Sequence, residues 1–310
     1  MTRSISVVLF PSFSNHCLAN TIEPLRAANM LSGKTLYQWH YLSVDGGSVA
    51  SSSGLPVDPE RALLDHPSGD MLMVMPSYGV ETHLQPRTLN ALRTARHRFK
   101  MLAGLDTGSW LLAAAGLLDG YRATIHWDEF ERFGETFPNV TTLEDRVVID
   151  RDRASCGGTS TALEMMLEFI ERDHGSMLRL EVASLFMLGE RMRSQDLPLV
   201  QNGSQVIDAA AAIMRRNIEE PLPIGHIADQ LNLSHRTLEN QFSAHMNKSA
   251  KSVYVSIRLR AARRMVETTS LSIAEIATRI GYQDKSAMTR AFKSEFGAPP
   301  SALRRRRPQT

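Results

Sequence analysis

The sequence is poor in the residue types that mark extracellular, membrane or metal chemistry. Only two cysteines, Cys17 and Cys156, stand in 310 residues, too few for a disulfide framework or a thiolate metal centre. No apolar run approaches the roughly 18 residues of a membrane-spanning helix. The first residues lack the succession of basic, apolar and small residues that makes a secretion signal. Of the ten histidines, the eight besides His126 and His235 show no spacing suited to a metal ion, so neither metal nor cofactor is expected. These absences point to a cytoplasmic protein with no membrane partner. With 43% hydrophobic and 22% charged residues, the chain supports two globular domains with ordinary cores.

Net charge is small, +2, but it is unevenly spread. From Val200 onward 17 Lys and Arg face 9 Asp and Glu, a balance of +8, whereas the preceding part carries 18 against 24, a balance of −6. The C-terminal part is the one suited to phosphates, hence to nucleic acid.

That basic part contains a duplicated pattern. Ile224, Ile227, Ala228 and Leu231 recur as Ile273, Ile276, Ala277 and Ile280, an offset of 49 residues; after the turn, Leu238 and Phe242 recur as Met288 and Phe292, an offset of 50. The spacing is helical on both sides of the turn. Each position has its own physical reason. Ala228 and Ala277 are small where two helices cross closely. Asn232 and Gly281 stand where the first helix ends, and both enter the left-handed conformation at low cost. Ser234 and Asp284 sit where the second helix needs an N-cap. Between the repeats Val253, Tyr254, Ile257, Ala261 and Met265 fall at helical spacing with Arg258, Arg260, Arg263 and Arg264 around them. The stretch therefore reads as helix-turn-helix one over 224–243, a connecting helix over 249–268 and helix-turn-helix two over 273–296.

These residues, with Arg290-Ala291-Phe292-Lys293, Phe296-Gly297 and the run from Pro299 to Arg304, resemble the AraC/XylS family of bacterial transcriptional regulators. Asn247 and Ala250 depart from it, since the family usually has Gly and Pro there. The resemblance implies two recognition helices in successive major grooves, about 34 Å apart along the duplex. The outward candidates are His235, Arg236, Thr237, Asn240 and Gln241 on the first, and Lys285, Ser286, Thr289, Arg290 and Lys293 on the second. Arg can read guanine, and Asn or Gln adenine, by paired hydrogen bonds; several of these residues contact only phosphate.

Toward the N-terminus the pattern changes to strands alternating with helices: strands over Ile5–Phe10, Tyr37–Val44, Met71–Met75 and Phe99–Leu105, helices over Ile22–Leu31 and Leu89–Arg98. Such alternation predicts an α/β domain whose mostly parallel sheet carries helices on both faces. The segment Gly104-Leu105-Asp106-Thr107-Gly108 runs a strand through a sharp turn into an apolar helix, with Asp106 at the tip of a nucleophile elbow. A helix from Leu178 to Arg193, then Pro198 and Asn202, ends this domain.

The elbow, Ala114-Ala115-Gly116-Leu117-Leu118-Asp119-Gly120, Ala123-Thr124-Ile125-His126-Trp127 and Cys156-Gly157-Gly158 resemble the class I glutamine amidotransferase-like superfamily, specifically PfpI-like domains fused to AraC-type DNA-binding domains. The resemblance implies a flavodoxin-like ligand-sensing and dimerisation domain over 1–193, a linker over 194–202 and an all-α DNA-binding domain over 203–310. The family's nucleophile at the tip is cysteine, here replaced by Asp106, and a carboxylate does not supply the strong nucleophile that thioester chemistry needs. Cys17 and Cys156 read as small core residues rather than substitute nucleophiles. The remaining site positions map to Glu23, at the expected start of the first helix, and His126. Two carboxylates in one pocket share a proton or bind a cation, and Trp110, Trp127 and Tyr78 offer aromatic faces to one. Regulators resembling this chain respond to arginine, glycine betaine or carnitine, so a small cationic nitrogenous effector is expected. Alternatives stay open: Asp106 caps the following helix, His126 is a hydrogen-bonded core residue, or the protein is an amidohydrolase or amidotransferase with a DNA-binding appendage. The resemblance further implies a homodimer that activates a catabolic operon through RNA polymerase.

Overall fold

The computed structural model describes residues 2–186 and 203–305. Spatial clustering of the chain gives two units, Met1–Val182 and Ala183–Thr310. The expected linker, 194–202, lies outside the described residues, as do 187–193.

The main-sheet strands of unit one are β1 (Arg3–Leu9), β2 (Tyr37–Ser43), β3 (Arg61–Ala62), β4 (Gly69–Met75), β5 (Phe99–Leu105), β6 (Val147–Asp150) and β7 (Arg153–Cys156). They form one seven-stranded sheet in the order β6-β7-β5-β4-β1-β2-β3. Every neighbouring pair is parallel except the hairpin β6-β7 at one edge. Parallel strands need crossovers, and helices α1 (Asn15–Ser32), α2 (Pro86–Ala95), α3 (Gly108–Ala114), α4 (Phe130–Thr136) and α5 (Thr159–His174) lie in or after them;. Alternation along β1 and β4 serves both faces. Val8, Phe10, Leu72 and Val74 pack with α2, α3 and α4 residues such as Leu92, Leu111 and Phe133, while Ile5, Val7, Leu9, Met71 and Met73 are buried on the other side.

Strand β3 and helices α4 and α5 were not among the expected elements, and two further differences bear on the site and the sheet edge. Helix α1 begins at Asn15 rather than Ile22, because Ser14 caps it: its Oγ accepts the Cys17 N–H at 3.2 Å, and Gly33 at φ 66° closes the far end. The edge hairpin β6-β7 was not anticipated; its strands are four residues each, with charged residues at their joined ends.

Unit two is helical: α7 (Gly203–Arg216), α8 (Ile224–Gln230), α9 (His235–Met246), α10 (Ala250–Thr268), α11 (Ile273–Arg279), α12 (Lys285–Phe296) and α13 (Pro300–Arg305) follow α6 (Ser176–Leu185), which crosses the unit boundary. The repeat holds as packing. Ile227, Ala228, Leu238 and Phe242 are buried in the first half and Ile276, Ala277, Met288 and Phe292 in the second, each large side chain contributing about 1.5–3 kcal/mol by leaving water. Asn232 and Gly281 take left-handed turns, at φ 54° and 70°. Ser234 accepts the Thr237 N–H, and Asp284 accepts those of Ser286 and Ala287. The two family departures are absorbed locally. Asn247 closes α9 at φ 49°, a conformation Asn enters more readily than most residues;, and Ala250 is a fully buried first residue of α10, which Ser249 caps.

Candidate functional site

Asp106 stands at the tip between β5 and α3 with φ 60°, a strained conformation for a residue with a Cβ. Glycines make the turn possible. A Cβ on Gly104 would lie 2.6 Å from the Ser109 nitrogen, and one on Gly108 would lie 2.0 Å from the Val74 carbonyl oxygen. The tip backbone is tied on both sides: the Asp106 N–H donates to the Cys156 carbonyl and its carbonyl accepts the His126 N–H, each at 3.1 Å.

The carboxylate is 7% exposed. Burial pushes its pKa up, opposed by the charge of His126, a hydrogen bond from the Ser77 hydroxyl and one from the Thr107 N–H;. Ser77 is itself held, at φ 58°, by the Ser14 N–H donating to its Oγ at 3.0 Å and by the Thr107 hydroxyl donating to its carbonyl at 2.6 Å. Gly158, which precedes α5, leaves room for the acid, since a Cβ there would lie 2.9 Å from an Asp106 oxygen. Ser77 and Thr159 share the positive φ of Asp106, so three loops converge on one carboxylate in conformations that side chains disfavour.

The structure brings some of the sequence candidates together and keeps others apart. His126 is beside Asp106, and its ring nitrogen also accepts the Asp128 N–H at 3.4 Å. Tyr78, which follows Ser77, is 64% exposed, and Trp127, which follows His126, is 79% exposed with its ring 5.6 Å from that of His126. Glu23 is not there. It pairs with Arg26 at 2.7 Å, with both side chains close to half exposed. Since α1 starts at Asn15, Glu23 lies beyond its first turns, and Cys17 of the first turn comes close to the acid instead. Trp110 is not there either. It is 4% exposed and packs in the core with Phe133 and Phe137, the Arg132 guanidinium lying 4.4 Å over its ring. Nor does Asp106 occupy the N-cap of α3, which is Thr107.

Sequence reasoning missed Ser77, Gly158 and the place of the cysteines. Both thiols are fully buried near Asp106. Burial, Cys156 and Asp106 together push the Cys17 thiol well up, and burial pushes Cys156 up to about 11. Neither is a thiolate at neutral pH, and a nucleophile must be one.

In unit two the capped starts of α9 and α12 present their polar faces. His235, Arg236, Thr237, Asn240, Lys285, Ser286, Arg290 and Lys293 are exposed, whereas Gln241 and Thr289 are half-buried. The Thr289 hydroxyl donates to the Lys285 carbonyl at 2.8 Å.

A flavodoxin-like domain with a strained elbow, together with paired helix-turn-helix units, defines a class of DNA-binding regulators. Comparisons with known proteins agree. Residues 4–172 match the DJ-1/PfpI family and residues 227–306 a helix-turn-helix domain. The chain is 34% identical over 313 residues to the HTH-type transcriptional regulator GbdR of Pseudomonas aeruginosa, covering 99% of this chain and 85% of that one. The crystal structure of an AraC family transcriptional regulator from Pseudomonas putida superposes with a TM-score of 0.51 at 28% identity, covering 59% of this chain and 99% of that chain. A more distant similarity, 28% over 189 residues, links 59% of this chain to 78% of an isonitrile hydratase of Pseudomonas putida. The chain belongs to the AraC-type transcriptional regulators that carry an N-terminal DJ-1/PfpI domain. No helix among the described residues is long and apolar enough to cross a membrane.

Proposed function

We propose that unit one is a non-catalytic sensor in which Asp106 receives a small cationic nitrogenous effector. One observation carries this reading: a buried carboxylate is presented on a strained tip where the related fold keeps a nucleophile. Its burial makes the ionised form costly until a cation arrives. Tyr78 and Trp127, exposed next to two residues that hold Asp106, supply faces for the ligand's alkylated nitrogen;. Arginine, glycine betaine and carnitine have the required chemistry. Bound effector acts through a homodimer on the helix-turn-helix units, which seat His235, Arg236, Asn240, Lys285, Ser286, Arg290 and Lys293 in the major groove and bring RNA polymerase to a catabolic operon in the cytoplasm.

Calorimetric titration of the full chain with those three cations and neutral amide controls tests the reading. Binding of one cation, lost in Asp106→Asn, supports it; silence across the panel counts against it. The similarity to isonitrile hydratase favours a second reading, an enzyme fused to a DNA-binding domain. Hydrolysis of an amide or hydration of an isonitrile, abolished by Asp106→Ala, would establish that reading instead.

A further inference from the structure

The turn of the second helix-turn-helix is gripped from two sides. From α10, Arg258 reaches over the end of α11: its Nε donates to the Ile280 carbonyl at 2.7 Å and its Nη2 to the Gly281 carbonyl at 2.8 Å. The same guanidinium lies 4.6 Å over the Tyr282 ring. One planar fork thus satisfies two successive carbonyls that α11 leaves without helical partners and stacks on the next side chain. On the opposite side the chain between α7 and α8 closes in. A Cβ on Gly281 would stand 2.7 Å from Pro221 Cδ and 2.8 Å from the Glu219 carbonyl oxygen.

That outer segment hangs on α10 as well. The Tyr254 hydroxyl donates to the Asn217 carbonyl at 2.6 Å and accepts the Leu222 N–H at 3.3 Å. Tyr254 and Arg258 are one helical turn apart on the same face of α10, so one stripe of that helix holds both walls around the Gly281 turn. The corresponding residue of the first unit, Asn232, is exposed.

We infer that Arg258 is a positioning residue for DNA reading: without touching DNA, it fixes the angle at which α12 leaves the turn and therefore the pose of Lys285, Ser286 and Arg290. The core of this half, from Ile276 to Met288 and Phe292, holds α11 and α12 together without it. What Arg258 adds is a fixed orientation of that pair on α10, because two hydrogen bonds and a stacked ring leave the turn no freedom to rock. This inference rests on α12 being a helix that enters the groove.

The test uses the full chain and a duplex recovered from a random library by the wild-type protein, then scrambled one groove segment at a time. At fixed salt, Arg258→Ala is expected to bind the intact duplex about tenfold or more weakly, the scale of losing charge-assisted hydrogen bonds. The loss is expected to vanish when one groove segment is scrambled and to persist when the other is. Arg258→Lys, a point charge without the fork, falls between, and it carries the same comparison if the alanine variant does not fold. Amide exchange in the free variant should quicken in α12 and stay unchanged in α9. Equal loss on every scrambled duplex, or no loss at all while Arg290→Ala weakens binding, would overturn the inference. If Arg290→Ala and Arg258→Ala are both without effect, the placing of α12 in the groove fails instead.

Discussion

Gly108→Ala is the sharpest perturbation of the elbow. The added Cβ would stand 2.0 Å from the Val74 carbonyl oxygen, where ordinary contact begins at 3.4 Å. Backbone meets backbone there, so no side chain can swing aside, and α3 must lift from β4 by ~1 Å, undoing contacts among Val74, Leu111 and Leu112;. Overpacking of a close-packed interior costs about 1–3 kcal/mol, and the rigid partner puts this case at the upper end. With a urea dependence of about 2 kcal/mol per molar, a cost of about 3 kcal/mol lowers the unfolding midpoint by about 1.5 M. The assay is selective, because the three tryptophans, Trp39, Trp110 and Trp127, all lie in unit one, and their fluorescence reports that unit alone. Gly116→Ala is the control: its Cβ meets nothing within 4 Å and bears only the strain of φ 72°, about 1 kcal/mol. A Gly108→Ala midpoint equal to or above that of Gly116→Ala would refute the close approach of α3 to β4.

Asp106→Asn should raise the unfolding temperature of unit one at neutral pH. Burial raises the folded pKa of Asp106, so its contribution to stability is present below the unfolded pKa and lost as pH rises through the folded one. The variant's advantage should therefore shrink as pH falls through that folded pKa, and an advantage that grows on acidification contradicts the assigned shift. Cation binding follows the same titration and should weaken at low pH. The buried, protonated thiols of Cys17 and Cys156 should resist alkylation in the native chain and react only after denaturation;; rapid native labelling would show that the elbow region opens. Arg290→Ala should weaken binding to a selected duplex by about 1–3 kcal/mol if it contacts a base, measured by fluorescence anisotropy, and unchanged binding would remove it from the interface.

The helix-turn-helix repeat was legible because its packing is local. Ala228, Asn232 and Ser234 act within a few residues of one another, so helix crossing, left-handed turn and cap can be read as spacing. The elbow was legible for the same reason, its two glycines bracketing the tip. Ser77 and the closeness of Cys17 to Asp106 were not, since they arrive from distant parts of the chain, Ser77 after β4 and Cys17 from the first turn of α1. Glu23 was misplaced by one local error, a helix start set too late, which put it in the first turn of α1 when it lies two turns further on. Trp110 sits four residues after Asp106, and only the direction in which α3 leaves the turn decides that its ring enters the core.

The two backbone hydrogen bonds that bracket Asp106 have a consequence for how such domains change chemistry. Position 106 is pinned through its own N–H and carbonyl to Cys156 and His126, independently of the bonds its side chain makes. Whatever side chain is encoded there is delivered to the same point, in the same direction, without refolding the turn. The tip behaves as an interchangeable bit in a fixed socket, and a single codon separates a scaffold that presents a carboxylate from one that presents another functional group.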